Sequence, residues 1–269
     1  MEKKRQKSKI FINSHMQNQK RGQVTIAIII AVVIVALAVL IYLFFPKITS
    51  TLGFTTENPS EFIRDCMEDK IKDSIEIVSS QGGSLNPENY YLYKDEKIEY
   101  LCYTNEYYIP CVVQQPLLKQ HIENEIKNNI KADSDVCFNS LKESFENKGF
   151  SVSLRGGDTN VELLPKITVV NYEKELTLTK DSTDRYEKLK VAIDNNLYEL
   201  MSIANSIISM ETRYGDSETT IYMNYYHNLK VEKMKQTDGT TIYILTDRDT
   251  GDKFQFASRS IAWPPGITR

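Results

Sequence analysis

The chain has 269 residues with ordinary hydrophobic and charged fractions, a length that suits one or two folded domains. Its charge is uneven: residues 1–21 hold seven of the 33 basic side chains and one of the 36 acidic ones, so the remainder has nine more acids than bases. Because phosphate binding needs clustered Lys and Arg, this acidic remainder disfavours nucleic acid as a partner.

Residues 24–45 form an apolar run, VTIAIIIAVVIVALAVLIYLFF, without a charged side chain. At about 1.5 Å per residue, a helix of this length crosses the ~30 Å hydrocarbon core of a lipid bilayer. The basic residues precede the run, which favours a cytoplasmic N-terminus. We therefore predict a basic tail over 1–22, a transmembrane helix over 23–46, a tether over 47–57 and an extracytoplasmic region over 58–269. The competing interpretation is a cleaved secretory signal, whose apolar region is normally shorter.

The junction before this run reads KRGQ from residue 20 to residue 23. It resembles the class III signal peptide of archaeal type IV pilin-like proteins, in which a prepilin peptidase cuts before a retained apolar helix. The resemblance covers residues 20–45, and it implies a cut between Gly22 and Gln23 and contacts with other surface or pilin-like proteins. Many pilins carry Glu five residues into the mature chain, where this chain has Ala27, so the filament role is less supported than the anchor. The alternative is that KRG is only a basic membrane flank.

Helical patterns alternate with strand-like ones beyond residue 57. A helix is predicted to begin at the N-cap Asn58 and to end at Gly82-Gly83. Two more helices are predicted after Pro116, with a break at residues 132–134 between them. A long helix is predicted from Thr183 to Glu211 on the helical spacing of its apolar residues.

Strand-like runs with turn signals occupy residues 89–113, 150–180 and 230–257. The Asp-Gly turn at residues 238–239 is a strong hairpin signal. Since no βαβ rhythm is present, the predicted fold class is α+β, with helices alternating with antiparallel β-hairpins. The pattern does not decide whether residues 58–149 and 150–269 form separate subdomains.

All four cysteines lie beyond the predicted membrane segment, and four cysteines allow three pairings. Cys102 and Cys111 flank a predicted hairpin, while Cys66 and Cys137 lie on the apolar faces of two predicted helices. This placement favours the pairs Cys102–Cys111 and Cys66–Cys137, which an oxidising exterior would maintain. Two alternatives stay open: Cys66 and Cys137 as plain core residues, or a zinc site, for which no C-x-x-C spacing is present.

Two stretches have spacings that chemistry could use. His121 and Glu125 lie one helical turn apart, as a metal or acid–base pair would, but a solvated i,i+4 pair explains the same spacing. Residues 247–252 (DRDTGD) are similar to a calcium loop, yet they lie between two predicted strands rather than two helices, which favours a turn. We therefore predict no catalytic residue, no metal ligand and no cofactor.

Aromatic residues supply the remaining candidates for recognition. Tyr90, Tyr91, Tyr107 and Tyr108 belong to a tyrosine-rich segment that suits either strand packing or an interface, because tyrosine combines apolar area with a polar tip. Trp263, next to two prolines, is either a packed cap or an exposed docking residue.

The sequence therefore predicts a single-pass cell-surface protein with a structural or partner-binding outer region, not an enzyme. Its predicted partners are the lipid bilayer, a prepilin peptidase and other surface or pilin-like proteins. The outer region also resembles archaeal surface proteins to which no activity is attached. The alternative function is an extracytoplasmic hydrolase whose catalytic carboxylates are scattered along the chain.

Overall fold

The structure is a computed structural model that describes residues 29–35 and 58–260. The chain divides into two compact units, residues 1–55 and residues 56–269. In the first unit, residues 29–35 are helical (α1). The predicted processing site at Gly22 and Gln23, the tether and Trp263 lie outside the described residues, and what was predicted for them stays a prediction.

The predicted transmembrane helix over residues 23–46 needs correction. Within residues 29–35 and 58–260, no helix combines the length and the apolarity that a bilayer crossing requires. Of the predicted span, only the seven residues of α1 are described, and at about 1.5 Å per residue they cover roughly 10 Å.

Helix α2, Pro59–Ser80, opens the second unit. Asn58 is its N-cap: the Asn58 side chain accepts a hydrogen bond from the backbone N–H of Ser60 at 3.0 Å, and Pro59 occupies the first turn. Gly82 and Gly83 have φ of +84° and +108°, which end the helix in a conformation that side chains disfavour. The predicted start and end of this helix are therefore confirmed.

Helix α3, Leu118–Asn147, runs without interruption, so the break predicted at residues 132–134 is wrong. That segment contains neither Gly nor Pro, and Ser134 is buried where α3 faces the core. The weak helix propensity of Asp and Ser is overridden by packing, which is the usual outcome inside a long amphipathic helix.

The helix predicted from Thr183 to Glu211 is also wrong over its first half. Strands β8, Thr183–Tyr186, and β9, Leu189–Asp194, precede helix α4, Leu197–Tyr214, and the short helix α5, Thr220–Tyr225. Leu189 and Ile193 are four residues apart, a spacing that fits a helix face and equally one face of a strand. In β9 they alternate with exposed residues, as a half-buried strand requires.

The described region is α+β with antiparallel and mixed sheets. The other strands are β1 Tyr90–Tyr93, β2 Glu96–Tyr103, β3 Val112–Val113, β4 Ser151–Arg155, β5 Thr159–Leu164, β6 Ile167–Tyr172, β7 Glu175–Thr179, β10 Leu229–Lys235, β11 Thr240–Asp247 and β12 Lys253–Arg259. The large sheet has the order β1-β2-β12-β11-β10, with β3 beside β2, and two small sheets have the orders β4-β7-β8 and β5-β6-β9. The β2–β12 pair is parallel, which corrects the prediction of purely antiparallel hairpins.

One main core joins the helices to all three sheets. Helix α2 packs against α3, and both helices contribute a stripe of buried isoleucines, including Ile71 and Ile126. Strands β11 and β12 add Tyr243 and Phe256, whose rings stack at 5.1 Å. Residues from both halves of the second unit share this main core.

A small second core covers the other face of the large sheet. Its buried residues are Ile98, Tyr100, Ile242 and Ala257. Tyrosines of β1 pack onto it, and the Tyr93 hydroxyl donates to Met234 Sδ at 2.9 Å. Much of the tyrosine-rich segment is therefore used for packing.

All four cysteines form disulfides, Cys66–Cys137 and Cys102–Cys111, which are the two pairs that the sequence favoured. The first bridge links α2 to α3 and closes 71 residues of chain, whereas the second closes nine. Three of these cysteines are buried and Cys66 is half-buried, so both bridges are part of the interior.

Two buried tyrosines allow a matched test of how a buried hydroxyl group affects the stability of the fold. The Tyr172 hydroxyl has no hydrogen-bond partner among the described residues, whereas the Tyr243 hydroxyl donates to the buried carboxyl of Glu211. We expect Tyr172→Phe to raise the free energy of unfolding by about 1 kcal/mol and Tyr243→Phe to lower it by about 2 kcal/mol, because only the second change leaves a buried group unpaired. Urea unfolding of the two variants measures both; effects of the same sign would contradict this assignment.

Candidate functional site: a tyrosine-lined cleft

A cleft of about 470 Å³ opens where the start of α4 faces α5 and the turn between β11 and β12. Its aromatic wall consists of Tyr198 from α4 together with Tyr222 and Tyr226 from α5 and its C-cap. The Tyr222 hydroxyl bonds to Ser206 Oγ at 2.8 Å, which ties α5 to α4. A concave site with several rings and a few polar groups is the usual form of a ligand or partner pocket.

The polar floor of the cleft is organised by Asp247. Asp247 Oδ2 accepts from the side-chain amides of Asn196 at 2.9 Å and Asn228 at 2.7 Å, and Oδ1 accepts from the backbone N–H of Asp249 at 2.8 Å and of Thr250 at 3.3 Å. Four donors saturate this carboxylate, so its role is to hold the turn against α4.

The calcium-like stretch 247–252 contains the turn between β11 and β12 that was predicted, and in addition it caps α4. Asp252 Oδ2 accepts from the backbone N–H of Asn196 at 2.8 Å, and Asn195 Oδ1 accepts from the N–H of Leu197 at 3.1 Å. Both bonds provide acceptors for backbone N–H groups at the start of α4 that have no acceptor within the helix. Across residues 29–35 and 58–260, no group of three or more His, Cys, Asp or Glu side chains is arranged to hold a metal ion.

The carboxylate of Glu199, in the cleft lining, is only partly hydrogen-bonded. Its Oε1 accepts from the backbone N–H of Lys166 at 2.9 Å. Its Oε2 is shielded from water and has no hydrogen-bond partner among the described residues. An unpaired carboxylate oxygen in a shielded position costs free energy that an incoming donor would recover.

The tyrosines predicted as an interface divide into two groups. Tyr91 is half-buried against the second core, and its hydroxyl donates to Gln236 Oε1 at 3.4 Å. Tyr90, Tyr107 and Tyr108 are exposed, and the rings of the last two lie 6.4 Å apart. None of these exposed tyrosines lines the cleft, and Tyr107 and Tyr108 lie in the loop that joins β2 to β3, here called the hairpin surface.

His121 and Glu125 do not form the solvated pair that their spacing suggested. Ser84 Oγ lies 2.7 Å from His121 Nε2 and 2.5 Å from Glu99 Oε2. Glu125 Oε2 instead accepts from the backbone N–H of Leu85 at 2.7 Å. Together these contacts fasten the loop after α2 to α3 and to β2.

This polar cluster has the residue types of a serine hydrolase but not the arrangement. Ser84 donates its single hydroxyl proton to Glu99 Oε2, so that proton is not directed at His121 Nε2. A general base needs a free lone pair at that nitrogen, and the orienting carboxylate belongs on the other side of the imidazole. Ser84 is also only 5% exposed. The cluster therefore suits a structural role.

The pH dependence of stability tests this cluster. Burial, the largest effect, raises the pKa of the Glu99 carboxyl above its ordinary value, while hydrogen bonds from Ser84 and Gln115 oppose the rise. The folded state thus holds this proton more tightly than the unfolded state, and the resulting stability is lost as pH rises through the folded pKa. In unfolding measurements from about pH 4 to pH 8, Glu99→Gln should gain stability relative to the unsubstituted chain as the pH rises above the ordinary pKa of a glutamate.

Unfolding free energies measured across that range check this expectation. The control is Glu143→Gln, which removes an exposed carboxylate from α3 and should leave the pH profile parallel to that of the unsubstituted chain. A profile for Glu99→Gln that is equally parallel would contradict a buried, proton-binding Glu99.

A second cleft, of about 540 Å³, lies between α2 and the end of β9. Its lining has no aromatic ring and mixes both signs of charge, with Lys72 and Lys253 among four acids. Charged side chains of both signs on an open surface are readily solvated by water. We therefore regard the tyrosine-lined cleft as the better candidate.

Sequence reasoning missed the tyrosine-lined cleft. Its lining comes from four separate segments of the chain, and the helix that supplies Tyr198 and Glu199 was predicted to begin at Thr183 rather than at Leu197. One available signal was the segment from Tyr222 to Tyr226, which contains three tyrosines within five residues. Exposed aromatic residues in a short segment are a reasonable indicator of recognition.

Comparison with known proteins identifies no relative: no family model, no curated protein and no solved structure matches this chain. The function must therefore be argued from the site itself.

Proposed function

We propose that residues 58–260 form an extracytoplasmic domain that binds a partner through the tyrosine-lined cleft. The extracytoplasmic location is supported by one observation: all four cysteines are paired in two interior disulfides. Structural disulfides form and persist in oxidising surroundings and are rare in the cytosol.

The binding role is supported by the composition of the cleft. Tyr198, Tyr222 and Tyr226 offer ring area in a concavity of about 470 Å³, and tyrosine is among the residues that dominate binding energy at interfaces. Ile221 and Tyr225 of the same short helix are exposed, and the Tyr225 ring packs against that of Tyr226, so apolar surface is present outside the cleft lining as well. Exposed apolar area of this kind is typical of interaction sites.

A hydrolytic role is less well supported. Its best candidate is the Ser84 cluster, in which the hydroxyl is buried and bonded to a carboxylate rather than to a free imidazole lone pair. Neither of the two clefts described above is lined by Ser84, Glu99 or His121. Neither of these two clefts would therefore hold a substrate within reach of the three side chains, as acid–base chemistry requires.

Photo-crosslinking in living cells tests the binding role. The photoreactive amino acid p-benzoylphenylalanine is placed at Tyr226, in the cleft, or at Tyr107, on the hairpin surface, with Glu143 as an exposed control site. We expect a discrete adduct from position 226 alone. An adduct from position 107 alone would move the binding surface to the hairpin, and none from either position would contradict a partner-binding domain.

A pair of tryptophan variants on α4 makes this test specific. Ser202 lines the cleft, whereas Ser209 lies on the same helix and is exposed but does not line it. Ser202→Trp should fill the cleft and suppress the adduct from position 226, and Ser209→Trp should leave it intact. An adduct that survives Ser202→Trp would show that the cleft is not the binding site.

A further inference from the structure

We infer that the tyrosine-lined cleft binds a cationic side chain, a lysine or an arginine, presented by a protein partner. This inference rests on the proposed function and adds the chemistry of the ligand. It is carried by the charge of the lining, by the unpaired oxygen of Glu199 and by the tyrosine rings beside it.

The charged groups that line the cleft are unbalanced. Glu199, Asp247 and Asp249 supply three carboxylates, and Lys166 supplies one ammonium group. Asp247 is saturated by four donors from the protein, so Glu199 and Asp249 are the acids with capacity for a ligand. A ligand that brings positive charge would correct this imbalance, whereas an anionic ligand would be repelled.

Glu199 supplies the anchor for that charge. Its Oε1 is held by the backbone N–H of Lys166, which fixes the carboxylate at the base of the cleft, and its Oε2 has no partner among the described residues. Because Glu199 lines the cleft, its negative charge is available to a cationic group bound there. Hydrogen bonds between a cationic donor and a carboxylate are stronger than those between neutral groups.

The tyrosine rings favour a cation for an independent reason. A ring face carries negative electrostatic potential, and an ammonium or guanidinium group within about 6 Å of a ring centroid is attracted to it. Tyr226 is 44% exposed, and its ring packs edge-to-face against Tyr225 at 4.8 Å. Tyr222 is half-buried and held to α4 by its hydroxyl, so its ring is positioned before the ligand arrives.

Calorimetric titration of the full chain with two small probes tests the inference. The first probe is Nα-acetyl-arginine methylamide, and the second is the citrulline analogue, which has nearly the same shape without the charge. We expect the arginine probe to bind about tenfold more tightly than the citrulline probe. This preference should shrink as the salt concentration rises from about 20 mM to 500 mM.

The double substitution Glu199→Gln with Asp249→Asn removes both free carboxylates. The amide introduced in place of Glu199 retains an oxygen that can accept from the N–H of Lys166, so the fold should be kept, and an unchanged melting temperature verifies this. Affinity for the arginine probe should fall to the citrulline level. The control Asp184→Asn removes an exposed carboxylate on β8 and should leave affinity unchanged.

The outcomes separate this inference from the proposed function. Equal affinities for the two probes, both abolished by Ser202→Trp, would overturn the cationic ligand and leave a binding cleft. Binding of the arginine probe that the double substitution does not weaken would also overturn it. No binding of either probe to a folded chain would overturn the cationic ligand, while photo-crosslinking from position 226 would still decide whether a partner occupies the cleft.

Discussion

Replacing Cys66 and Cys137 together by alanine is expected to lower the free energy of unfolding by about 4 kcal/mol. The bridge closes 71 residues of chain and links the two long helices of the core. Removing it frees the unfolded chain to adopt many more conformations, and this entropic effect grows with loop length. Urea unfolding of the double variant, followed by circular dichroism, gives the change directly.

The second disulfide provides the matched control. Cys102 and Cys111 are separated by nine residues, so their replacement by alanine should cost less, about 2.5 kcal/mol by the same loop-length relation. The order of the two effects is the test, since both changes remove two sulfur atoms. A larger loss from the short bridge would contradict the role assigned to Cys66–Cys137.

Asp247→Ala is expected to lower the free energy of unfolding by about 3 kcal/mol. The substitution removes a buried carboxylate that accepts four hydrogen bonds, and it leaves the amides of Asn196 and Asn228 without their common acceptor. The turn then loses its attachment to α4. Thermal or urea unfolding of the variant measures the loss.

Asp249→Ala is the control for this prediction, because Asp249 lies in the same turn with an exposed side chain. Its replacement should change the free energy of unfolding by about 0.5 kcal/mol or less. Comparable losses for the two variants would show that Asp247 does not organise the turn.

Local signals in the sequence predicted those elements that depend on neighbouring residues. Helix α2 has its N-cap at Asn58 and its glycine pair at residues 82–83, and both signals act within a few residues. The hairpin between β10 and β11 follows from the Asp-Gly turn at residues 238–239. These predictions succeeded because no distant contact in the structure overrides the local preference.

The errors arose where distant contacts decide the structure. The spacing of Leu189 and Ile193 fits two periodicities, and pairing with β6 selects the strand. The parallel pairing of β2 with β12 places Tyr100 opposite Ala257, and no local sequence pattern predicts this contact. The cleft depends on the same kind of contact, because its lining is assembled from separate segments around α4.

The disulfide pairing depends both on local elements and on how those elements pack together. The favoured pairs followed from a hairpin placed around Cys102 and Cys111 and from two helices expected to pack together, and the structure contains both bridges. The predicted strands and helices were sufficient here, although the boundaries of α3 were not predicted correctly.

The most direct test of a domain that folds outside the cytoplasm is to measure whether its cysteines are oxidised to disulfides in living cells. Cells are treated with a membrane-permeant maleimide under denaturing conditions, and the intact mass of the full chain is taken before and after reduction. We predict no labelled thiol and, for two disulfides, a mass gain of about 4 Da on reduction. Four labelled cysteines in the freshly trapped protein would contradict the proposed compartment.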